Sequence, residues 1–216
     1  VAKRKLQRFA EIGTFNNVLE LEEGKPYKGK WKENFFKNEH PLILELACGK
    51  GEYSVNLGMK YPDKNFIGID YKGNRLWVGA KMALDNDLKN VGFLRIQIQN
   101  ILDYFETEEV DEIWITFPDP QAQSPLERKR LTNPMFLGKY KSVLKPNGTM
   151  YLKTDNDGFY KYTLEKIAEG NHKIEDQTTD VYKTHPEDEI LSIKTHYERI
   201  YLQKGKNINY VKFKYS

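Results

Sequence analysis

Gly49 and Gly51 stand at alternate positions directly after the apolar run Leu42–Leu46, with Glu45 inside that run and Asp70 about twenty residues on. The run reads as a buried strand that enters a glycine turn and opens a helix near Glu52. Glycines at that spacing let the backbone turn tightly and approach a ligand, and the helix start directs its free N–H groups at the same place. Phe66–Asp70 reads as a second strand whose carboxylate falls where the ribose hydroxyls of an adenosine cofactor lie. The third small position of a dinucleotide fingerprint is Ser54, which leaves NAD open but supplies no glycine. Glu45 beside a pyrophosphate is repulsive, whereas S-adenosylmethionine carries a sulfonium, an ammonium and no phosphate, so the pattern favours a methyl-donor site.

A second group follows the fourth expected strand, as Thr116-Phe117-Pro118-Asp119-Pro120. The two prolines restrict the backbone on either side of the acid, beside the expected cofactor site. Pro118-Asp119-Pro120-Gln121 lacks the paired prolines and the stacking aromatic of enzymes that methylate the adenine amino group, which disfavours that chemistry. Cys48 is the one cysteine, so an intrachain disulfide and a Cys-x-x-Cys metal or redox site are excluded. His40, His172 and His185 show no metal-ligand spacing and have no Ser or Cys partner, so neither a metal centre nor a hydrolytic site is expected.

The elements that must hold these residues alternate from Pro41 onwards. Leu42–Leu46, Phe66–Asp70, Gly92–Gln97, Glu112–Phe117 and Thr149–Thr154 read as strands covered on both faces. Glu52–Lys60, Arg75–Asn86 and Pro134–Leu144 carry helical periodicity, and Pro146-Asn147-Gly148 marks a turn. Tyr197–Gln203 and Asn209–Lys214 read as two strands joined through Lys204–Asn207 with no helix between them. The expected fold is α/β, a Rossmann-like class I methyltransferase: a doubly wound, mostly parallel sheet with a C-terminal antiparallel hairpin. Residues 1–40 read as a basic extension and 41–216 as a single domain.

The 216 residues carry a net charge of +3, too little to establish a nucleic-acid partner by itself. Distribution says more. Lys3, Arg4, Lys5 and Arg8, then Arg128, Lys129 and Arg130, then Lys204, Lys206, Lys212 and Lys214 form three clusters whose convergence would make a phosphate-binding face. No apolar run approaches a membrane span and the basic start leads into no secretory core, so a cytoplasmic protein without membrane contact is expected.

Together, Glu45–Gly51, Phe117–Pro120, Leu152-Lys153-Thr154-Asp155 and Thr195-His196-Tyr197-Glu198, with Tyr27–Trp31 near the start, resemble the bacterial tRNA (guanine-N7)-methyltransferases over nearly the whole chain. The resemblance implies transfer of a methyl group from S-adenosylmethionine to N7 of the variable-loop guanine of tRNA. It implies that Glu45, Gly49, Gly51, Asp70, Gln97 and Asp119 contact the donor, with Asp119 also at the reaction centre. It further implies that Gln123, Asp155, Thr195, His196, Tyr197 and Glu198 hold the nucleotide, in a monomer or homodimer. Gln97 replaces the family's usual Asp, and Gln121-Ala122-Gln123 its usual Trp-Pro-Lys. Three function classes remain open at this point: this tRNA enzyme, a methyltransferase for a small molecule or protein, and a noncatalytic RNA-binding relative.

Overall fold

The computed structural model describes residues 2–216, and the side chains of residues 6–123 and 125–216. The side chains of Lys3, Arg4 and Lys5 in the expected basic arm therefore lie outside the described residues. Eight strands run in chain order as β1 (Val18–Glu20), β2 (Leu42–Leu46), β3 (Asn65–Asp70), β4 (Val91–Arg95), β5 (Val110–Thr116), β6 (Leu144–Thr154), β7 (Lys173–Thr178) and β8 (Asn209–Lys214). They form one sheet in the order β1-β4-β3-β2-β5-β6-β8-β7, parallel except where β8 pairs with β6 and β7. Successive residues of a strand face opposite sides, so an apolar run supplies two cores. Leu42, Leu44 and Leu46 enter one core and Ile43 the other; Ile113 and Ile115 are likewise separated from Trp114.

The helices are α1 (Ala2–Ile12), α2 (Glu52–Lys60), α3 (Gly73–Asp85), α4 (Pro134–Val143), α5 (Asp157–Glu169), α6 (Val181–Thr184) and α7 (His196–Gln203). Val55 and Leu57 of α2 and Leu76, Ala80 and Ala83 of α3 close the Ile43 core. Phe136, Leu137 and Tyr140 of α4 and Phe159, Tyr160 and Ile167 of α5 close the other. From β2 the chain winds outward through β3 to β4, then returns to β5 on the opposite side of β2. The carboxyl ends of β2 and β5 are thus the point where winding reverses, and where open α/β sheets bind ligands.

The doubly wound sheet and the antiparallel C-terminal pair follow the sequence reading, with two corrections. Pro146-Asn147-Gly148, expected as a turn, lies inside β6 where its register with β5 shifts. Tyr197–Gln203 is helical, and the first arm of the antiparallel pair is β7. The Thr195 side chain accepts from Glu198 N while the Glu198 carboxylate faces Thr195 N, a capping box that starts a helix in an aromatic-rich stretch. Residues 2–40 are built onto the same body: β1 pairs with β4, and Trp31 is buried with its indole N–H on Tyr104 O at 2.8 Å. No helix among the described residues is long and apolar enough to cross a membrane.

Candidate active site

After β2 the backbone enters left-handed conformation three times, at Ala47 (φ 55°), Gly49 (φ 57°) and Gly51 (φ 65°). Gly51 is required twice over, because a Cβ there would stand 2.4 Å from Phe93 Cε1. Having no side chain, Gly51 cannot cap the helix it precedes, and that work falls to the strand before it. Glu45 Oε2 accepts from Ser54 N at 2.9 Å and from Ser54 Oγ at 2.5 Å, while Glu45 Oε1 accepts from Thr116 Oγ1 at 2.6 Å. One carboxylate thus joins β2, the first turn of α2 and the end of β5. Burial raises the Glu45 carboxyl to about 7, against the pull of its three hydrogen bonds. Asp70, at the end of β3, accepts from Gly49 N at 3.0 Å and Lys72 N at 2.8 Å, which fixes its carboxylate against the turn.

On the other side of the reversal point, β5 runs into the Asp119 loop. Phe117 (φ 49°) and Gln121 (φ 46°) bracket it in a conformation costly for side chains of their size. Phe117 N donates to Lys153 O at 2.9 Å, and Asp119 Oδ1 accepts from Gln121 N at 3.0 Å. The loop thereby exposes the Asp119 carboxylate next to the glycine turn.

Two clefts, of about 180 and 830 Å³, share Ala47, Asp70, Tyr71, Asp119 and Gln121 as walls. Gly49, Thr195 and Tyr197 close the smaller one, and Gln97, Arg128 and Lys129 line the larger. Gln97 is exposed and its Oε1 accepts from Gln99 Nε2 at 2.8 Å. Glu45 lines neither cleft; it lies beneath the turn with both oxygens occupied. Gln123 is exposed and outside both. Asp155 faces another depression of about 930 Å³, beside α5, and pairs with Lys206 at 2.5 Å. His196 is exposed and its backbone N–H donates to Glu52 Oε2 at 2.7 Å.

Of the basic clusters, Arg128 and Lys129 reach the larger cleft. Arg8 stacks on Trp77, Arg130 on Tyr162, and Lys212 and Lys214 both pair with Glu175. Those pairings divide the expected basic face among separate neighbours.

Residues 39–211 match a family described as "Putative methyltransferase". A tRNA (guanine-N(7)-)-methyltransferase of Christiangramia forsetii is 50% identical, over 99% of this chain and 98% of its own. One of the same name from Bacteroides thetaiotaomicron is 44% identical, over 99% of this chain and 86% of its own. The chain belongs to the tRNA (guanine-N7)-methyltransferase family. Its fold also matches the 16S rRNA methyltransferase KamB, with a TM-score of 0.64 at 16% identity, over 85% of this chain and 92% of KamB.

Within this methyltransferase the Thr195–Glu198 segment divides by direction. Thr195 and Tyr197 line the small cleft, with the Arg75 guanidinium 5.9 Å from the Tyr197 ring centre. Glu198 points inward: it is fully buried, 2.9 Å from Lys153 Nζ, and accepts from Tyr182 OH at 2.7 Å. Lys153, Tyr182, Ser54 and Thr116 were not singled out from sequence for these contacts, since each bonds to a residue distant along the chain or placed by the turn.

Proposed function

We propose that this methyltransferase transfers the methyl group of S-adenosylmethionine to N7 of the variable-loop guanine of tRNA. The observation that carries the reading is the meeting of Asp70, Asp119 and the Gly49 turn with Thr195 and Tyr197 in one crevice at the sheet's reversal point. The donor fits this crevice chemically, because Gly49 and Gly51 let the backbone approach it and the carboxylates of Asp70 and Asp119 suit a cationic ligand. Asp70 would hold the ribose hydroxyls, the Gln97 carbonyl would accept from the adenine amino group, and Glu45 would brace the turn from below. When bound, S-adenosylmethionine supplies an electrophilic methyl group on a sulfonium.

Guanine N7 has a lone pair and no proton to lose, so these residues have mainly to orient the nucleophile. Positive charge grows on the purine as N7 becomes substituted, and the exposed Asp119 carboxylate stabilises it there without acting as a base. Thr195 and Tyr197 form the opposite wall for the nucleotide, and the exposed His196 would meet it at the rim. Asp155 and Gln123 extend the contact outward, and Arg128 and Lys129 take phosphate charge where Gln123 offers none. A nucleophile that needs no deprotonation also needs no metal-bound base. Residues 41–216 are read as the catalytic domain, with 1–40 as an extension seated on its edge, working in the cytoplasm as a monomer or homodimer.

The test is incubation with labelled methyl donor and tRNA lacking N7-methylguanine. Label at guanine N7 of tRNA is expected. Label only in small molecules or proteins, or tRNA binding without transfer, overturns the assignment.

A further inference from the structure

Lys153 and Glu198 have 0% side-chain exposure and stand 2.9 Å apart. A buried ion pair loses much of its attraction to desolvation, and an apolar pair of the same volume commonly serves stability as well or better. Burial pushes the Lys153 amine below its usual pKa, against the pull of Glu198. The pair's value has to be sought in what it joins.

Lys153 reaches both walls of the crevice. Its backbone carbonyl accepts from Phe117 N, the residue that turns the Asp119 loop, at 2.9 Å. Its ammonium donates to Leu191 O at 2.8 Å and Ile193 O at 3.3 Å, in the segment leading to Thr195. The same ammonium meets Glu198, whose other oxygen faces Thr195 N at 3.4 Å. Tyr182, on α6, completes the set by donating to Glu198 Oε1. Tyr53 OH holds Ile190 O at 2.9 Å, and its ring centre is 5.4 Å from the Lys153 ammonium. The Lys153 contacts thus tie the segment leading into the Thr195–Tyr197 wall to the end of β6 and, through Lys153 O, to the Asp119 loop, while Tyr182 and Tyr53 fasten the same segment to α6 and α2.

We infer that Lys153 and Tyr182 are positioning residues that fix the separation between the Asp119 loop and the Thr195–Tyr197 wall by clamping the buried Glu198. The inference rests on the proposed function, because it takes this crevice to be where the nucleotide meets Asp119. It gives Glu198 an inward task, distinct from the hold on the nucleotide that the family resemblance implies.

The variants are Lys153→Met, the double variant Lys153→Met/Glu198→Gln, and Tyr182→Phe, which removes one hydroxyl outside the crevice. Each is measured for tRNA methylation at saturating donor, for donor affinity and for the urea midpoint. Lys153→Met is expected to lower kcat/KM for tRNA at least about tenfold and Tyr182→Phe about threefold, with donor Kd within about twofold of the unaltered protein. The double variant, freed of the unpaired charge, should regain most of the midpoint while kcat/KM stays low. Recovery of midpoint and kcat/KM in step, or a Tyr182→Phe protein with unaltered kcat/KM, overturns the inference. Where Lys153→Met does not fold, Tyr182→Phe decides alone. Failure of the proposed function is distinguishable, because the unaltered protein would then leave tRNA unlabelled.

Discussion

Replacing Glu45 by Gln should change how stability depends on pH more than stability itself. The Glu45 carboxyl is raised from an ordinary 4.5 to about 7, chiefly by burial. A carboxyl whose folded pKa lies above its unfolded one binds more protons when folded, so its contribution to stability falls as pH rises between those values. At ~1.4 kcal/mol per pH decade, raising pH from 4.5 to above 7 costs about 3 kcal/mol through this residue. Gln does not titrate and keeps an acceptor for Ser54 N and Oγ, while its amide group faces the Thr116 hydroxyl at a cost of about 1 kcal/mol. Urea unfolding of both proteins from pH 4.5 to 8.5 should give a difference, variant minus unaltered, that climbs by ~3 kcal/mol and levels off above neutral pH. The variant should be the less stable at the acid end and the more stable, by about 2 kcal/mol, at pH 8. Parallel curves would refute the reasoning, since they would mean that Glu45 ionises in the folded chain as easily as in water.

Asp119→Ala should lower kcat on tRNA about a hundredfold. Its unfolding free energy should fall by no more than about 1 kcal/mol, because the side chain is exposed and gives up one hydrogen bond to Gln121 N; near-normal transfer would remove Asp119 from the reaction centre. Gly51→Ala should destabilise by about 2–4 kcal/mol, from a Cβ overlapping Phe93 and a left-handed φ, and weaken donor binding; an unchanged unfolding curve would contradict the turn geometry.

The central sheet was legible because most of its strands are short apolar runs, β2 entered from Pro41 and β5 followed by the Pro118-Asp119-Pro120 loop. β2, β3 and β5 lie within two residues of their expected limits. The edges were not. β7 (Lys-Ile-Glu-Asp-Gln-Thr) has Ile174 as its one apolar residue and takes its ladder from β8. The α7 segment carries β-forming tyrosines and isoleucine, yet Thr195-x-x-Glu198 spells a helix start that outweighs them. At the site, the glycine turn with Asp70 could be read from spacing alone, since both belong to one strand-turn-helix-strand unit. The inward turn of Glu198 could not, because it depends on Lys153, 45 positions away in the chain.

The two outermost strands bear on how this molecule behaves at high concentration. An unpaired strand edge is a template for addition of another chain unless it is short, charged or bent. β1 has three residues, and β7 presents Lys173, Glu175 and Asp176, with Glu175 drawn toward Lys212 and Lys214 of its neighbour. Neither margin offers a long apolar ladder, so both disfavour the addition of a further strand. The helices and loops that cover the two faces, rather than the sheet margins, are the surfaces such a geometry leaves for contact at high concentration.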